Sequence, residues 1–291
     1  MKPAPFRYER PASLDEALGL LAGDDGLEVR PLAGGQSLVP LMNLRMARPE
    51  VVVDLNRVPE LSGIERRGDR IRLGALTRHE TLATDPTVVT ALPLLARAAS
   101  HIGHRAIRTR GTLGGSLAHA DPSAELPVAS LALGAEVELA SASGTRTLAV
   151  TELFTGPLST ALDEGELIVA VHVPVEIGRR PFGFAEIARR HGDFAVALAA
   201  VTVATDADGG CRAASIAVGG IGGTPRLVGA AARTLIGTRL DRAAVDRAGD
   251  EVAAAVRPTG DLHGSGPYRR AMAALLTRRA LDEARGATVA R

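Results

Sequence analysis

The stretch Pro31-Leu32-Ala33-Gly34-Gly35-Gln36-Ser37-Leu38 follows a short apolar run and leads into another, Leu38 to Met46. Two adjacent glycines at a strand-to-helix bend allow backbone conformations that a Cβ would forbid. They also let main-chain N–H groups converge on an anion. Gln36, the sole glutamine of the chain, and the Ser37 hydroxyl add two more donors. A second block, Arg110-Gly111-Thr112-Leu113-Gly114-Gly115-Ser116, repeats the glycine pair with hydroxyls on either side, then runs into Ala118-His119-Ala120-Asp121-Pro122. One such pair alone reads first as a tight turn. Two donor-rich turns can instead grip a single polyphosphate from both sides, because a pyrophosphate is served by many neutral donors. No lysine follows either pair as in a P-loop, and neither has the glycine spacing of the dinucleotide fingerprint.

His101, His104 and His119 lie near the second block, but their spacing fits no metal-ligand motif, and no metal site is assigned. No general acid or base is singled out either. Cys211 is the only cysteine, which excludes an internal disulfide framework and any iron–sulfur cluster held by this chain alone. The formal charge of +1 gives no polyanion-binding surface, so nucleic acid is not expected as a partner. Met1 to Arg10 lacks the apolar core of a secretory signal, and no apolar run approaches the ~20 residues of a membrane span. A cytoplasmic protein is expected.

The elements that must position these blocks follow from pattern. Ser13 and Glu16 make a capping box for a helix through Leu21, ended by Gly23. A strand over 27–32 feeds the first glycine turn, and Val51 to Leu55 is a buried strand. Residues 64–67 and 70–73 form a hairpin about Gly68-Asp69. Helices are expected over 77–83, 94–101 and 125–133, with strands over 136–140, 146–150 and 166–174 and a linker from Val175 to Arg180. Three strands then follow (182–190, 195–204 and 212–218), and after them helices over 228–236, 242–256 and 267–284. In the last helix Tyr268, Met272, Leu275 and Leu276 fall on one face at helical spacing. Strands followed by helices point to an α+β module.

The segments AGGQSLVPLMNLRMARP and IRTRGTLGGSLAHADPSAELP resemble the two flavin-binding signatures of the FAD-carrying medium subunit of molybdenum hydroxylases of the carbon monoxide dehydrogenase and xanthine dehydrogenase type. The similarity continues through Ala188-Arg189-Arg190-His191-Gly192-Asp193-Phe194-Ala195, Asp261-Leu262-His263-Gly264-Ser265 and Tyr268-Arg269-Arg270, so it covers nearly the whole chain in order. It implies an α+β fold: an FAD-binding domain of the p-cresol methylhydroxylase and vanillyl-alcohol oxidase type, made of subdomains 1–57 and 58–176. A C-terminal domain, 181–286, with a three-stranded sheet and helices, is implied as well.

The resemblance also sets Leu32, Ala33, Gly34, Gly35, Gln36, Ser37 and Leu38 around the diphosphate of a noncovalent FAD. Ile102, Gly103, Gly111, Thr112, Gly115, Ser116 and His119 would line the cofactor. Glu125 would accept hydrogen bonds from ribose or adenine groups, and Leu167 and Ile168 would pack beside the flavin or adenine. The His191-Gly192-Asp193 turn would either present Arg189 and Arg190 to the flavin or stand in solvent.

Two departures from the family stand out. Where some relatives carry a lysine near the flavin edge this chain has Ala185 and Glu186, and it has no segment for nicotinamide. With no tryptophan and few aromatics, the ring should lie against aliphatic side chains. The implied function is electron transfer from iron–sulfur clusters of a partner to FAD and on to an external acceptor. The implied assembly is a dimer of heterotrimers with a large molybdopterin-binding subunit and a small 2Fe–2S subunit. A stand-alone flavin oxidase or dehydrogenase and a flavin-free scaffold are the competing readings.

Overall fold

The computed structural model describes residues 2–23, 26–178 and 180–289. β1 (Arg7–Glu9), β2 (Val29–Leu32) and β3 (Val51–Asp54) form a parallel sheet in the order β1-β3-β2. β3 is central and buried throughout, which is why it reads as an unbroken valine run. Helix α1 (Leu14–Leu21) follows β1, and α2 (Leu38–Asn43) lies between β2 and β3. At the start of α1 the Ser13 hydroxyl accepts from the Glu16 N–H at 3.2 Å, and Glu16 accepts from the Ala12 N–H at 2.8 Å.

The hairpin of β4 (Ile64–Arg67) and β5 (Arg70–Gly74) turns at Gly68, φ 62°. Six helices follow: α3 (His79–Thr84), α4 (Pro86–Ala91), α5 (Pro93–His101), α6 (Arg105–Arg108), α7 (Leu113–His119) and α8 (Glu125–Ala132). Hydrophobic periodicity gives no sign of α4. Its local chemistry does, since Asp85 accepts from the Thr87 and Val88 N–H groups and Pro86 opens the first turn. β6 (Glu136–Ser141) and β7 (Gly144–Ala149) come next. They lead through α9 (Val150–Leu153) and a small ladder, β8 (Phe154–Gly156) with β9 (Ser159–Thr160), to β10 (Leu167–Pro174). The second sheet is antiparallel, in the order β4-β5-β10-β6-β7.

The expected linker opens as the single turn α10 (Val175–Gly178), while its Arg179 lies outside the described residues. β11 (Phe182–Ala188), β12 (Ala195–Thr205) and β13 (Cys211–Gly219) are the three expected strands; they pair antiparallel, and a two-residue β14 (Arg226–Leu227) is added at the edge. α11 (Gly229–Arg233), α12 (Arg242–Ala255) and α13 (Gly266–Val289) complete the chain.

Of the four residues at helical spacing in α13, only Leu276 is fully buried. Ala273, Ala274, Leu276, Thr277, Ala280, Leu281 and Ala284 are buried, whereas Tyr268 is 42% exposed and Met272 and Leu275 are only partly covered. The cause is close packing. A Cβ on Gly183 of β11 would lie 1.9 Å from the Ala280 carbonyl oxygen, so the small-residue face is the one that can approach the sheet. Leu126 and Val128 of α8 share one core with Phe184, Leu198 and Ala217 of the third sheet, so that sheet is packed on α8 as well as on its own helices. Among the described residues no helix is long and apolar enough to cross a membrane.

Candidate cofactor cleft

The first glycine turn leaves the end of β2 with Gly35 at φ 72°, a conformation that favours glycine. Among the described residues, the N–H groups of Gly34, Gly35, Gln36 and Ser37 donate no hydrogen bond, and the Ser37 hydroxyl has no partner. Gln36 Nε2 folds back onto the Gly34 carbonyl at 3.2 Å. Four successive unused amides at a tight bend form the kind of concavity that takes an anion.

The second turn is less free than its sequence promises. Thr112 caps α7 and accepts from the Gly115 N–H at 3.1 Å, the Ser116 N–H bonds to Thr112 O at 3.0 Å, and the Gly114 N–H bonds to Ala75 O at 2.8 Å. The Thr112 N–H and the Ser116 hydroxyl are left without partners among the described residues.

The two turns touch. A Cβ on Gly34 would lie 2.3 Å from the Arg110 carbonyl oxygen and 2.8 Å from Gly111 Cα. A bracket of side chains holds them in register. Asn56 Nδ2 donates to Ala33 O at 2.9 Å, Arg78 Nη2 to Asn56 Oδ1 at 2.5 Å, and Arg78 Nη1 to Arg110 O at 2.5 Å. Asp54, buried at the end of β3, accepts from the Asn56 N–H at 3.0 Å and from the Tyr8 hydroxyl. Asn56 and Arg78 escape motif reading because each acts through a carbonyl of the turn it braces.

Between the turns and β10 runs a cavity of about 490 Å³. Every residue expected at the cofactor lines it except Leu32 and Gly103. Leu32 closes β2 and packs beneath the turn, so that a Cβ on Gly35 would meet Leu32 Cδ1 at 3.2 Å. Gly103, φ 45°, backs onto the Ile107 side chain. Leu167 and Ile168 are buried at the start of β10, and His119 ends α7 half-buried, with no hydrogen-bond partner among the described residues.

His79 also lines the cavity, unannounced by any motif. Its Nε2 donates to Thr112 O at 2.9 Å, the only role open to it beside a carbonyl, which leaves Nδ1 as a buried acceptor without a partner. Burial pushes its pKa down to about 4, so the ring is neutral. A Cβ on Gly111 would come within 2.7 Å of this ring, which accounts for that glycine.

Glu125 opens α8 with its side chain in the cavity wall. Burial, then the neighbouring charge of Glu186, pushes its carboxyl up to about 8, so near neutral pH it is a hydrogen-bond donor as well as an acceptor. Phe194, 66% exposed, also lines the cavity. This aromatic follows the Gly192 turn, φ 87°, directly before β12. Arg189 and Arg190 are exposed and do not line the cavity. Ala185 faces the helices of the last sheet, and Glu186 is turned the other way and buried.

A mainly apolar cleft with free amides and a few buried polar groups in its wall suits a dinucleotide whose diphosphate those amides can hold. The residues present fit FAD. Residues 4–176 match the family model of the FAD binding domain in molybdopterin dehydrogenase, and residues 182–284 match that of the CO dehydrogenase flavoprotein C-terminal domain. The chain is 43% identical over 284 residues to the 6-hydroxypseudooxynicotine dehydrogenase complex subunit alpha of Paenarthrobacter nicotinovorans, covering 98% of this chain and 96% of that one. It is 36% identical to the carbon monoxide dehydrogenase medium chain of Afipia carboxidovorans, covering 98% of each. Among solved structures, quinoline 2-oxidoreductase from Pseudomonas putida 86 is similar with a TM-score of 0.94 at 37% identity, covering 99% of each chain. The chain belongs to the FAD-binding medium-subunit family of the molybdenum hydroxylases, oxidoreductases of the carbon monoxide and xanthine dehydrogenase type.

Proposed function

We propose that this chain is the electron-transfer subunit of a molybdenum hydroxylase complex, in which electrons from 2Fe–2S clusters of a small partner chain enter FAD in the cleft and leave to an external acceptor. The observation that carries this reading is the contact of two glycine turns at one cleft, whose lining includes four residues with unused amides. FAD supplies a centre that accepts electrons singly and releases them in pairs.

The residues of this chain bind and orient. The amides of Gly34 to Ser37 and the hydroxyls of Ser37 and Ser116 would hold the diphosphate, and His119 would hydrogen-bond the cofactor without a covalent bond. Glu125 would meet a ribose or adenine group. Leu167, Ile168 and Ile102 would exclude water along the rings, joined by Phe194. The chain's single thiol, Cys211, is buried, so clusters must reside in another chain. A large molybdopterin chain would oxidise the substrate, with the assembly a dimer of heterotrimers. The division 1–57, 58–176 and 181–286 follows the three larger sheets. A cytoplasmic location suits a lone reduced thiol.

The purified chain should carry about one FAD, released intact on denaturation, and should hydroxylate no organic substrate alone. Substrate turnover by the lone chain would establish the stand-alone oxidase instead, and colourless protein from flavin-replete cells would establish the scaffold. Copurification with a cysteine-rich small chain and a very large chain tests the assembly.

A further inference from the structure

The turn between β8 and β9 holds a leucine where the backbone favours glycine. Pro157 and Leu158 join Gly156 to Ser159, which pair across the ladder. The proline ring fixes φ of Pro157 at about −65°. Leu158 follows with φ 54°. A proline and then a left-handed residue is the pattern of a type II turn, whose second inner position favours glycine or asparagine. For a bulky side chain such a φ is strained, because Cβ crowds the following carbonyl oxygen. One hydrogen bond pins the turn to the cleft: the Leu158 N–H donates to Ala120 O at 3.2 Å. Ala120 caps the C-terminus of α7, between His119 and Asp121, both of which line the cavity.

Among the described residues, the other non-glycines with positive φ are Arg45, Ala120 and Leu240. Ala120 and Leu240 are only 1% and 2% exposed, so packing holds them in place. Arg45 is exposed, but its charged head belongs in water. Leu158 alone puts a large apolar side chain at a left-handed position and leaves it 57% exposed. A single exposed leucine is ordinary. A strained one needs something to offset the strain, and burial within the chain does not supply it here. The side chain lines the cavity, so a ligand in the cleft is what can cover it. Leucine offers neither donor nor acceptor, so it suits a ring face or a run of methylenes rather than a diphosphate.

We propose that Leu158 is a cofactor-contacting residue: the β8–β9 turn, pinned to the end of α7, holds this side chain against an apolar part of bound FAD. The contact rests on the reading of the cleft as an FAD site. Burial against the ligand offsets the backbone strain at Leu158, as core packing does at Leu240. A glycine at this position suits the turn better and holds FAD less well.

The test is thiol labelling together with FAD titration. Cys211 is the only cysteine and is buried, so Leu158→Cys would carry a single accessible thiol. A maleimide should label that thiol in the FAD-free chain, and bound FAD should suppress the labelling. Leu262→Cys, at a side chain 97% exposed and outside the cavity lining, should label alike in both forms. Leu158→Gly separates strain from contact. It should leave the Tm of the FAD-free chain no lower than the wild type's, yet weaken FAD binding about tenfold, read by quenching of flavin fluorescence. Leu158→Met, which keeps an apolar side chain of similar volume, should hold FAD nearly as tightly as the wild type. Labelling at position 158 that FAD leaves unchanged overturns the contact, and so does a Leu158→Gly chain with wild-type affinity. A wild-type chain that binds no FAD would instead overturn the assignment of the cleft.

Discussion

A methyl group on Gly34 would have to displace the Arg110 carbonyl that sits 2.3 Å from its Cβ position, and that carbonyl belongs to the opposite turn. Overpacking of this kind costs about 1–3 kcal/mol when the surroundings give way. Here the part that gives way is the spacing of the cleft. Gly34→Ala should therefore weaken FAD binding by roughly ten- to a hundredfold, measured by quenching of flavin fluorescence. Native-like circular dichroism with unchanged affinity would contradict the contact.

Glu125 has a different signature. Its folded pKa of about 8 lies above the ordinary 4.5, so between those values the folded chain holds a proton that the unfolded chain has lost. Its contribution to stability is thus complete below about pH 4.5 and fades as the pH rises through 8. Glu125→Gln should flatten the fall of Tm between pH 5 and 8 in the FAD-free chain. Sequence offered Glu125 as a plain carboxylate acceptor, because nothing in one dimension reveals that Glu186 lies nearby or how deeply both are buried.

At the scale of the element, what the sequence shows is what depends on neighbours in the chain. The capping box of α1, the hairpin at Gly68 and the valine run of β3 are local patterns, and each stands where pattern puts it. The buried face of α13 is not local. Its Leu and Met spacing suggests one face, while Gly183, in a strand far back in the chain, selects the alanine face instead. The bracket between the turns is hidden for the same reason, since Asn56 follows β3 and Arg78 precedes α3, yet they meet at Ala33 and Arg110. Asn56→Ala would leave the Ala33 carbonyl and the Arg78 guanidinium without their partner, a loss of about 1–3 kcal/mol. The expected result is a Tm lowered by a few degrees together with weaker FAD binding, read by thermal unfolding with and without added FAD. Stabilisation by FAD as large as in the wild type would mean that the bracket does not shape the cleft.

Taken whole, the molecule is matched by two family models that meet near residue 180, which suggests two separable domains. The packing argues otherwise. Leu126, Val128 and Leu133 of the first region lie in one buried cluster with Phe184, Ala195, Leu198 and Ala217 of the second. Gly219 is so close to that seam that a Cβ there would stand 2.6 Å from Val128 Cγ2, and the Gly220 N–H bonds to Pro122 O at 2.8 Å. Separating the regions would expose the apolar face of α8 and much of one face of the third sheet, at about 25 cal/mol for each Å² returned to water. The full chain should therefore unfold in a single calorimetric transition, with the van't Hoff and calorimetric enthalpies equal. A fragment ending at residue 178 should lack cooperative unfolding and bind a dye for exposed apolar surface, and coexpression with a fragment starting at residue 180 should restore both the transition and FAD binding. Two well-resolved transitions in the intact chain would mean that the shared core is not what joins the halves. In that case the buried Glu186, which lies in the same seam, would be set by the third sheet alone.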